Sequence, residues 1–172
     1  MNKMNNETTV KCINDTTIEK CISGQHINFQ FDYESYQKLY EQTDFLVKIK
    51  TFEKTSDESL IFEIEYIDGE VLADFYKSPL ISNKTKLLHY FQILDWYMSM
   101  LEFSNKEKKL DVEEGRYIKQ IFFHNDLNLS NIIMTKNNKL VLLDPESFLW
   151  MNRAMFLLTI QSNASHFIGE IY

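Results

Sequence analysis

Two neighbouring segments decide how this chain is read: His124-Asn125-Asp126-Leu127-Asn128-Leu129-Ser130-Asn131 and Leu142-Leu143-Asp144-Pro145-Glu146. Ahead of the first lies Ile118–Phe123, a short apolar run that reads as a strand. Between the two, Asn131–Thr135 and Lys139–Leu143 read as hairpin arms, with Lys136–Asn138 as the turn. A hairpin brings its ends together, so Asn131 and Asp144 are expected as neighbours. Asp126, on the polar loop just upstream, is expected to face the same spot. A carboxylate beside an amide oxygen suits Mg²⁺, which takes few protein oxygens and fills its shell with phosphate and water. A further carboxylate nearby can orient a hydroxyl and accept its proton. Those are the parts phosphoryl transfer needs.

Upstream of the loop, the pattern divides the chain. Thr8–Ile13 and Thr16–Ser23 are rich in β-branched residues, and Asn14-Asp15 between them reads as a hairpin turn. His26–Phe31 alternates and is a third strand candidate. Asp32 caps a predicted helix through about Gln42, on which Tyr33, Tyr36, Leu39 and Tyr40 recur at helical steps. Phe45–Glu53 and Leu60–Ile67 read as strands, with Thr55-Ser56-Asp57 as the turn between them. Asp68-Gly69 then breaks the pattern.

Beyond the break, Asn83–Phe103 is the strongest helical signal. Leu87, Leu88, Phe91, Leu94, Trp96, Met98 and Leu101 cover a face wide enough for a mostly buried helix. Residues 105–115 read as a charged surface connection. Ser147–Ile160 reads as an apolar helix. The fold class expected is α+β, with a division into residues 1–67, a small antiparallel sheet with one helix, and 68–172, mainly helical.

Composition narrows the function. The chain has 172 residues and a net charge of −7, from 18 Lys plus Arg against 25 Asp plus Glu. That acidic balance argues against nucleic acid as a partner. No apolar run is long enough to span a bilayer, and MNKMNNETTV has no apolar core of a secretory signal, so a cytoplasmic protein is expected. Four glycines, at 24, 69, 115 and 169, form neither G-x-G-x-x-G nor a Walker A loop. Cys12 and Cys21 read as reduced, buried, small apolar side chains, and with the scattered histidines they offer no zinc spacing.

The segment 124–146 resembles the catalytic core of the protein-kinase-like superfamily, H-x-D-x-x-x-x-N followed by a metal-binding Asp. With a small residue before the Asp and no D-F-G, it is most similar to the small-molecule branch, which holds aminoglycoside phosphotransferases and choline kinases. Phe62-Glu-Ile-Glu-Tyr-Ile-Asp-Gly-Glu-Val-Leu72 resembles that family's hinge between two lobes. The resemblance implies a two-lobed fold with a shortened C-terminal lobe. It also implies ATP and Mg²⁺ as cofactors and a small hydroxylated acceptor. It makes Asp126 the residue that positions or deprotonates the acceptor, and Asn131 and Asp144 the metal ligands. Glu65, Tyr66 and Ile67 would line the adenine pocket. His124 would be structural, and Asn128 and Ser130 would shape the loop.

The family also pairs an ATP-anchoring lysine with a helix glutamate. Lys20 and Glu34 are the candidates here, with Lys11 more remote; if His26–Phe31 is the third strand, the expected lysine position is empty. Glu146 either adds a carboxylate near the metal or caps the next helix. The stripe Phe148, Trp150, Met151, Met155, Phe156 and Leu158 either packs on the 83–103 helix or marks a partner or homodimer surface. Two functions compete: a phosphotransferase acting on a small molecule, and a weak or inactive kinase-like module that binds nucleotide or a protein. Phosphorylation of a protein is disfavoured, because an apolar segment stands where a peptide-binding activation segment would follow Asp144.

Overall fold

The computed structural model describes residues 7–23, 31–56, 59–113 and 116–171. Strands β1 (Glu7–Asn14) and β2 (Thr17–Ser23) form a hairpin. Its turn is Asp15-Thr16, one residue later than the sequence suggests, and the Asn14 side-chain oxygen accepts from the Thr16 amide at 2.9 Å. Helix α1 (Tyr33–Gln42) follows, then β3 (Ile49–Lys54) and β4 (Leu60–Glu65), giving a four-stranded antiparallel sheet in the order β1-β2-β4-β3. Asp32 caps α1 as expected, its Oδ1 accepting from the Ser35 amide at 3.0 Å. Of the expected third strand, His26–Gln30 lies outside the described residues. Phe31 is in no strand and packs edge-on against Phe52 and Phe62, 5.2 Å from each ring.

The chain crosses to the second part through β5 (Gly69–Val71), a short helix α2 (Leu72–Phe75) and the long helix α3 (Asn83–Glu107). Gly69 sits where backbone must approach backbone. A Cβ there would stand 2.3 Å from the Met134 carbonyl oxygen, so only glycine lets β5 pair with its neighbour. Ser82 caps α3, and Lys108 closes it in the left-handed conformation. Its buried stripe is His89, Ile93, Trp96, Tyr97, Met100, Phe103 and Ser104. Leu87, Leu88, Phe91 and Met98, expected inside, are exposed. The buried face is therefore set by what α3 packs on rather than by where its apolar residues are densest. Ser104 marks the contact: its hydroxyl donates to Met100 O at 2.7 Å and accepts from the Phe122 amide at 2.8 Å.

That amide belongs to β7 (Arg116–His124), which lies between β6 (Leu110–Glu113) and β10 (Phe148–Asn152). The expected surface connection 105–115 is thus the end of α3 followed by a strand, with Glu114 and Gly115 outside the described residues. The expected helix from Ser147 is likewise corrected. Phe148–Asn152 pairs antiparallel with β7, Phe148 opposite His124 and Asn152 opposite Gln120. Only then does α4 (Arg153–Ile171) begin, with Asn152 Oδ1 accepting from the Met155 amide. Phe148, Trp150 and Met151 are buried and Leu149 and Asn152 half-buried, so the strand is covered on both faces over most of its length. On α4, Phe156 is buried against Phe123, while Met155, Leu157 and Leu158 are exposed.

The hairpin β8 (Ile132–Thr135) and β9 (Leu140–Leu142) completes a third sheet, in the order β5-β8-β9. Asn138 turns it in the left-handed region. Leu142 ties this hairpin to the first sheet's side. Its amide donates to Phe45 O at 2.7 Å and its carbonyl accepts from Val47 at 3.1 Å. One continuous core runs through both parts, from Phe62 and Tyr36 through Phe148 and Phe122 to Trp150 and Phe103. Each large side chain buried there stabilises by about 1.5–3 kcal/mol. Cys12 is exposed and Cys21 half-buried, and both are free thiols, so the expectation of two buried cysteines fails outright at Cys12 and is met only in part at Cys21.

Candidate active site

The site is assembled where β7 ends. Leu127 and Leu129 alternate with the polar residues of the loop and are buried, pinning it to the core while Asp126 and Ser130 stay exposed. The Asn125 amide donates to Ser147 O at 2.9 Å, joining the loop to the turn after Asp144. Two side-chain amides hold the Asp126 carboxylate: Asn128 Nδ2 donates to Oδ1 at 2.9 Å and Asn131 Nδ2 to Oδ2 at 3.0 Å. Asn131 Nδ2 also reaches Asp126 O at 2.7 Å, and Asn128 Oδ1 accepts from the Ser130 amide at 2.9 Å. Asn128 and Ser130 therefore do sit in the framework of the loop.

Asn131 and Asp144 are brought together through the backbone. The Leu143 amide donates to Asn131 O at 2.8 Å, next to Asp144. With its Nδ2 committed to Asp126, the Asn131 side chain presents Oδ1 on its other side. Asp144 has φ of 55°, a left-handed conformation that aspartate tolerates better than most residues. Pro145 then opens a short 3₁₀ turn, Pro145–Ser147, at the position where its missing N–H costs nothing.

His124 is fully buried beneath both carboxylates. Its Nε2 lies 3.0 Å from Leu143 O and 3.1 Å from Asp144 O. Both partners only accept, so Nε2 carries the hydrogen. Burial drives the imidazole pKa down to about 4, although the two carbonyls and the charges of Asp144 and Asp126 pull the other way. A neutral histidine that clips the 143–144 backbone in place is a structural group rather than a base.

Lys20 reaches this cluster from β2. Its Nζ is 2.6 Å from Asp144 Oδ1 and in contact with Glu146 Oε1. Its side chain is 10% exposed, that of Glu146 11% and that of Asp144 32%. Burial works against the Lys20 charge, but Glu146 and Asp144 outweigh it and raise the lysine pKa. Burial and the neighbouring Asp144 raise Glu146, with Lys20 pulling it back down. The implied pairing of Lys20 with Glu34 is not formed. Glu34 faces solvent and pairs with Lys38 one turn along α1. Because α1 turns Ser35, Tyr36 and Leu39 inward, the residue before them cannot point at β2. Nor does Glu146 cap α4, from which β10 separates it.

The hinge candidates lie at the end of β4. Glu65 and Tyr66 are exposed and Ile67 is half-buried. The Glu65 amide donates to Lys48 O and the Tyr66 amide to Thr16 O. Glu65 and Tyr66 also line a surface concavity with Asp15, Thr16, Tyr40, Lys48, Lys50 and Asp68, to which Asp126, Asp144 and Glu146 do not contribute. The strand register sets Thr17 opposite Glu65 and Lys20 opposite Phe62. Lys20 thus stands three residues, roughly 10 Å, along β2 from the hinge. Lys11 is on the neighbouring exposed strand β1, opposite Glu19. Among the described residues, no three His, Cys, Asp or Glu side chains converge as a self-sufficient metal site. An aspartate carboxylate and an asparagine amide oxygen are donors of the kind Mg²⁺ takes while leaving the rest of its shell to phosphate and water.

No protein-family profile matches the sequence, and no curated protein matches it. Solved structures do. The kinase PK-1 of Cydia pomonella granulovirus superposes with a TM-score of 0.51, at 14% identity, over 81% of this chain and 45% of that one. Wild-type aminoglycoside 2'-phosphotransferase-IIIa, in its GDP complex, superposes with a TM-score of 0.57, at 10% identity, over 95% of this chain and 72% of that one. The chain has a protein-kinase-like fold. It spans less than half the length of the viral kinase. At these identities the likeness concerns the fold alone. Within that kinase-like fold, the loop 124–131, the turn after Asp144 and Lys20 meet at one place. The sequence marked the loop, and the pairing of Lys20 with Glu146 is what it missed. The only signal of that pairing was a carboxylate two residues after Asp144.

Proposed function

We propose that this protein is an ATP- and Mg²⁺-dependent phosphotransferase acting on a hydroxyl of a small molecule. The observation that carries the reading is the convergence of Lys20 and Asp144, 2.6 Å apart, beside the loop that presents Asp126 and Asn131. A kinase-like fold supports it, and one of the similar structures is a GDP complex. We place the division between the two functional halves at 67/68, with adenine against Glu65, Tyr66 and Ile67 and the phosphates toward Lys20.

Lys20 then exchanges its contact with Asp144 for the nucleotide phosphates. Asp126, exposed and held by Asn128 and Asn131, orients the acceptor hydroxyl and takes its proton. The acceptor oxygen attacks the γ-phosphorus, the bond to the bridging oxygen breaks, and ADP leaves with that electron pair. Mg²⁺ at Asn131 and Asp144 neutralises phosphate charge when bound. Glu34 has no part in this assignment.

One observation favours the second reading, an inactive nucleotide- or protein-binding module. Lys20 is already paired with two acids, and the Asn131 amide with Asp126. Titrating the protein with ATP, with and without Mg²⁺, separates the two. A Mg²⁺-dependent rise in melting temperature that Asp144→Asn removes, with ATP consumed on adding a sugar, aminoglycoside or amino alcohol, is the expected result. Binding without consumption across the panel selects the inactive module. No binding at all, and indifference to Asp144→Asn, ends both nucleotide readings.

A further inference from the structure

The kinase-like arrangement needs an acid that fixes the phosphate-binding lysine, and in that arrangement the acid stands on the helix packed over the sheet. Helix α1 has no acid to offer. Its inward face is Ser35, Tyr36 and Leu39, and its first-turn Glu34 is 81% exposed and engaged with Lys38. Lys20 nevertheless meets a carboxylate. It is Glu146, from the short turn that follows Asp144.

Two contacts locate that carboxylate on the side of the sheet that α1 covers. Its Oε1 contacts Lys20 Nζ inside the protein. Two residues further on, the Phe148 ring meets Tyr36, the buried tyrosine of α1, edge-on at 5.3 Å. The backbone is arranged to aim it. Asp144 takes the left-handed conformation, Pro145 fixes the next φ, and one 3₁₀ turn later the chain enters β10. Glu146 is therefore held by the two residues that precede it and by the strand that follows. Its Oε2 is buried and has no hydrogen-bond partner among the described residues. A buried carboxylate oxygen without a partner is costly, so this position is not one that packing alone selects.

We infer that Glu146 is the positioning residue that anchors Lys20 for the nucleotide phosphates, in place of an acid on α1. The inference rests on the phosphotransferase reading above. It also makes a distinctive claim: the lysine and the proposed metal ligand Asp144 are set by one turn, so they move together, whereas a helix acid would let α1 set the lysine independently.

The test is Mg²⁺-ATP affinity by calorimetry on the full chain, with near-ultraviolet circular dichroism to confirm folding. Glu146→Gln keeps the shape and is expected to weaken Mg²⁺-ATP binding on the order of 10-fold, the loss of one charge-assisted contact. Glu146→Asp, which keeps the charge, is expected to recover part of that affinity and serves if the Gln variant folds poorly. A purely structural role would not show that recovery. Adding Glu146→Gln to Lys20→Met should cost nothing further, because Glu146 acts through Lys20. Glu41→Gln, on the exposed part of α1, is the unaffected control. Wild-type affinity in Glu146→Gln, an equal loss on top of Lys20→Met, or an equal loss in Glu34→Gln would overturn the inference and leave the phosphotransferase reading standing. A wild-type protein that binds no Mg²⁺-ATP would instead overturn that reading, and this one with it.

Discussion

Trp150, on the strand β10, donates its indole N–H to Asp32 Oδ2 at 3.0 Å, so the residue that caps α1 is gripped from the other half of the molecule. Lys109 reaches the same oxygen at 3.2 Å and lies over the Trp150 ring. One carboxylate thus starts a helix and fastens it to the sheet that carries the loop with Asp126.

Asp32→Ala should destabilise the protein by about 2 kcal/mol in urea denaturation, combining a lost helix cap with an indole donor left only its longer 3.3 Å contact to Ser35 Oγ. Burial pushes the Asp32 carboxyl up, but the Ser35, Trp150 and Lys109 donors outweigh it and hold it below 3.8, the ordinary value. Its folded pKa is therefore depressed relative to the unfolded chain. The contribution is present above pH 3.8 and is lost as pH falls through the folded value. The gap between wild type and Asp32→Ala should shrink in that acid range; a gap independent of pH there would show the charge to be irrelevant.

Gly69→Ala places a methyl 2.3 Å from the Met134 carbonyl oxygen and 2.5 Å from Ile133 Cγ2. Either β5 or β8 has to move, at a cost of roughly 1–3 kcal/mol. Gly169→Ala, in α4 with open space around it, should be stabilising by up to about 1 kcal/mol. Equal effects of the two substitutions on the urea midpoint would contradict the crossing at Gly69.

His124 should titrate near 4 when followed by nitrogen-detected NMR, with its hydrogen on Nε2 throughout the neutral range. A midpoint near 6.5 would mean that the ring is not buried under the carboxylates. His124→Phe fills the space but takes the imidazole donor from the Leu143 carbonyl, while Asp144 O keeps the Ser147 amide at 2.9 Å, and should lower stability by about 1–3 kcal/mol.

Asn128 orients Asp126 without touching the proposed nucleotide site. Asn128→Ala should reduce any phosphoryl transfer roughly 10- to 100-fold while leaving Mg²⁺-ATP affinity within about twofold, since a catalytic group displaced by an ångström loses that much. A matching loss of affinity would place Asn128 among the nucleotide contacts instead.

Much of this was legible from local pattern. The loop 124–131 declares itself because Leu127 and Leu129 must go inward, which turns Asp126 and Ser130 outward. The cap of α1 and the hairpin after Asn131 are short-range features, settled by residues within a few positions of one another. Segment 148–152 reads as helix because its apolar residues also fit helical spacing. It becomes a strand because β7 offers an open edge, with Phe148 meeting His124 across the pair. On α3, apolar density at Leu87, Leu88 and Phe91 pointed to the wrong face, because burial follows the contact at Ser104 and Phe122.

The amino-acid order by itself therefore determined which groups stand on the loop and at the end of the hairpin: Asp126, Asn131 and Asp144, with Lys20 on the strand ladder. Only the tertiary structure decided which acid Lys20 meets. Glu34 and Glu146 are both one short step from a correctly read element. What separates them is the phase of α1, which turns Glu34 to solvent, and the left-handed turn at Asp144, after which Glu146 meets Lys20 inside the protein. The choice depends on a contact between residues more than a hundred positions apart, and no local spacing encodes it.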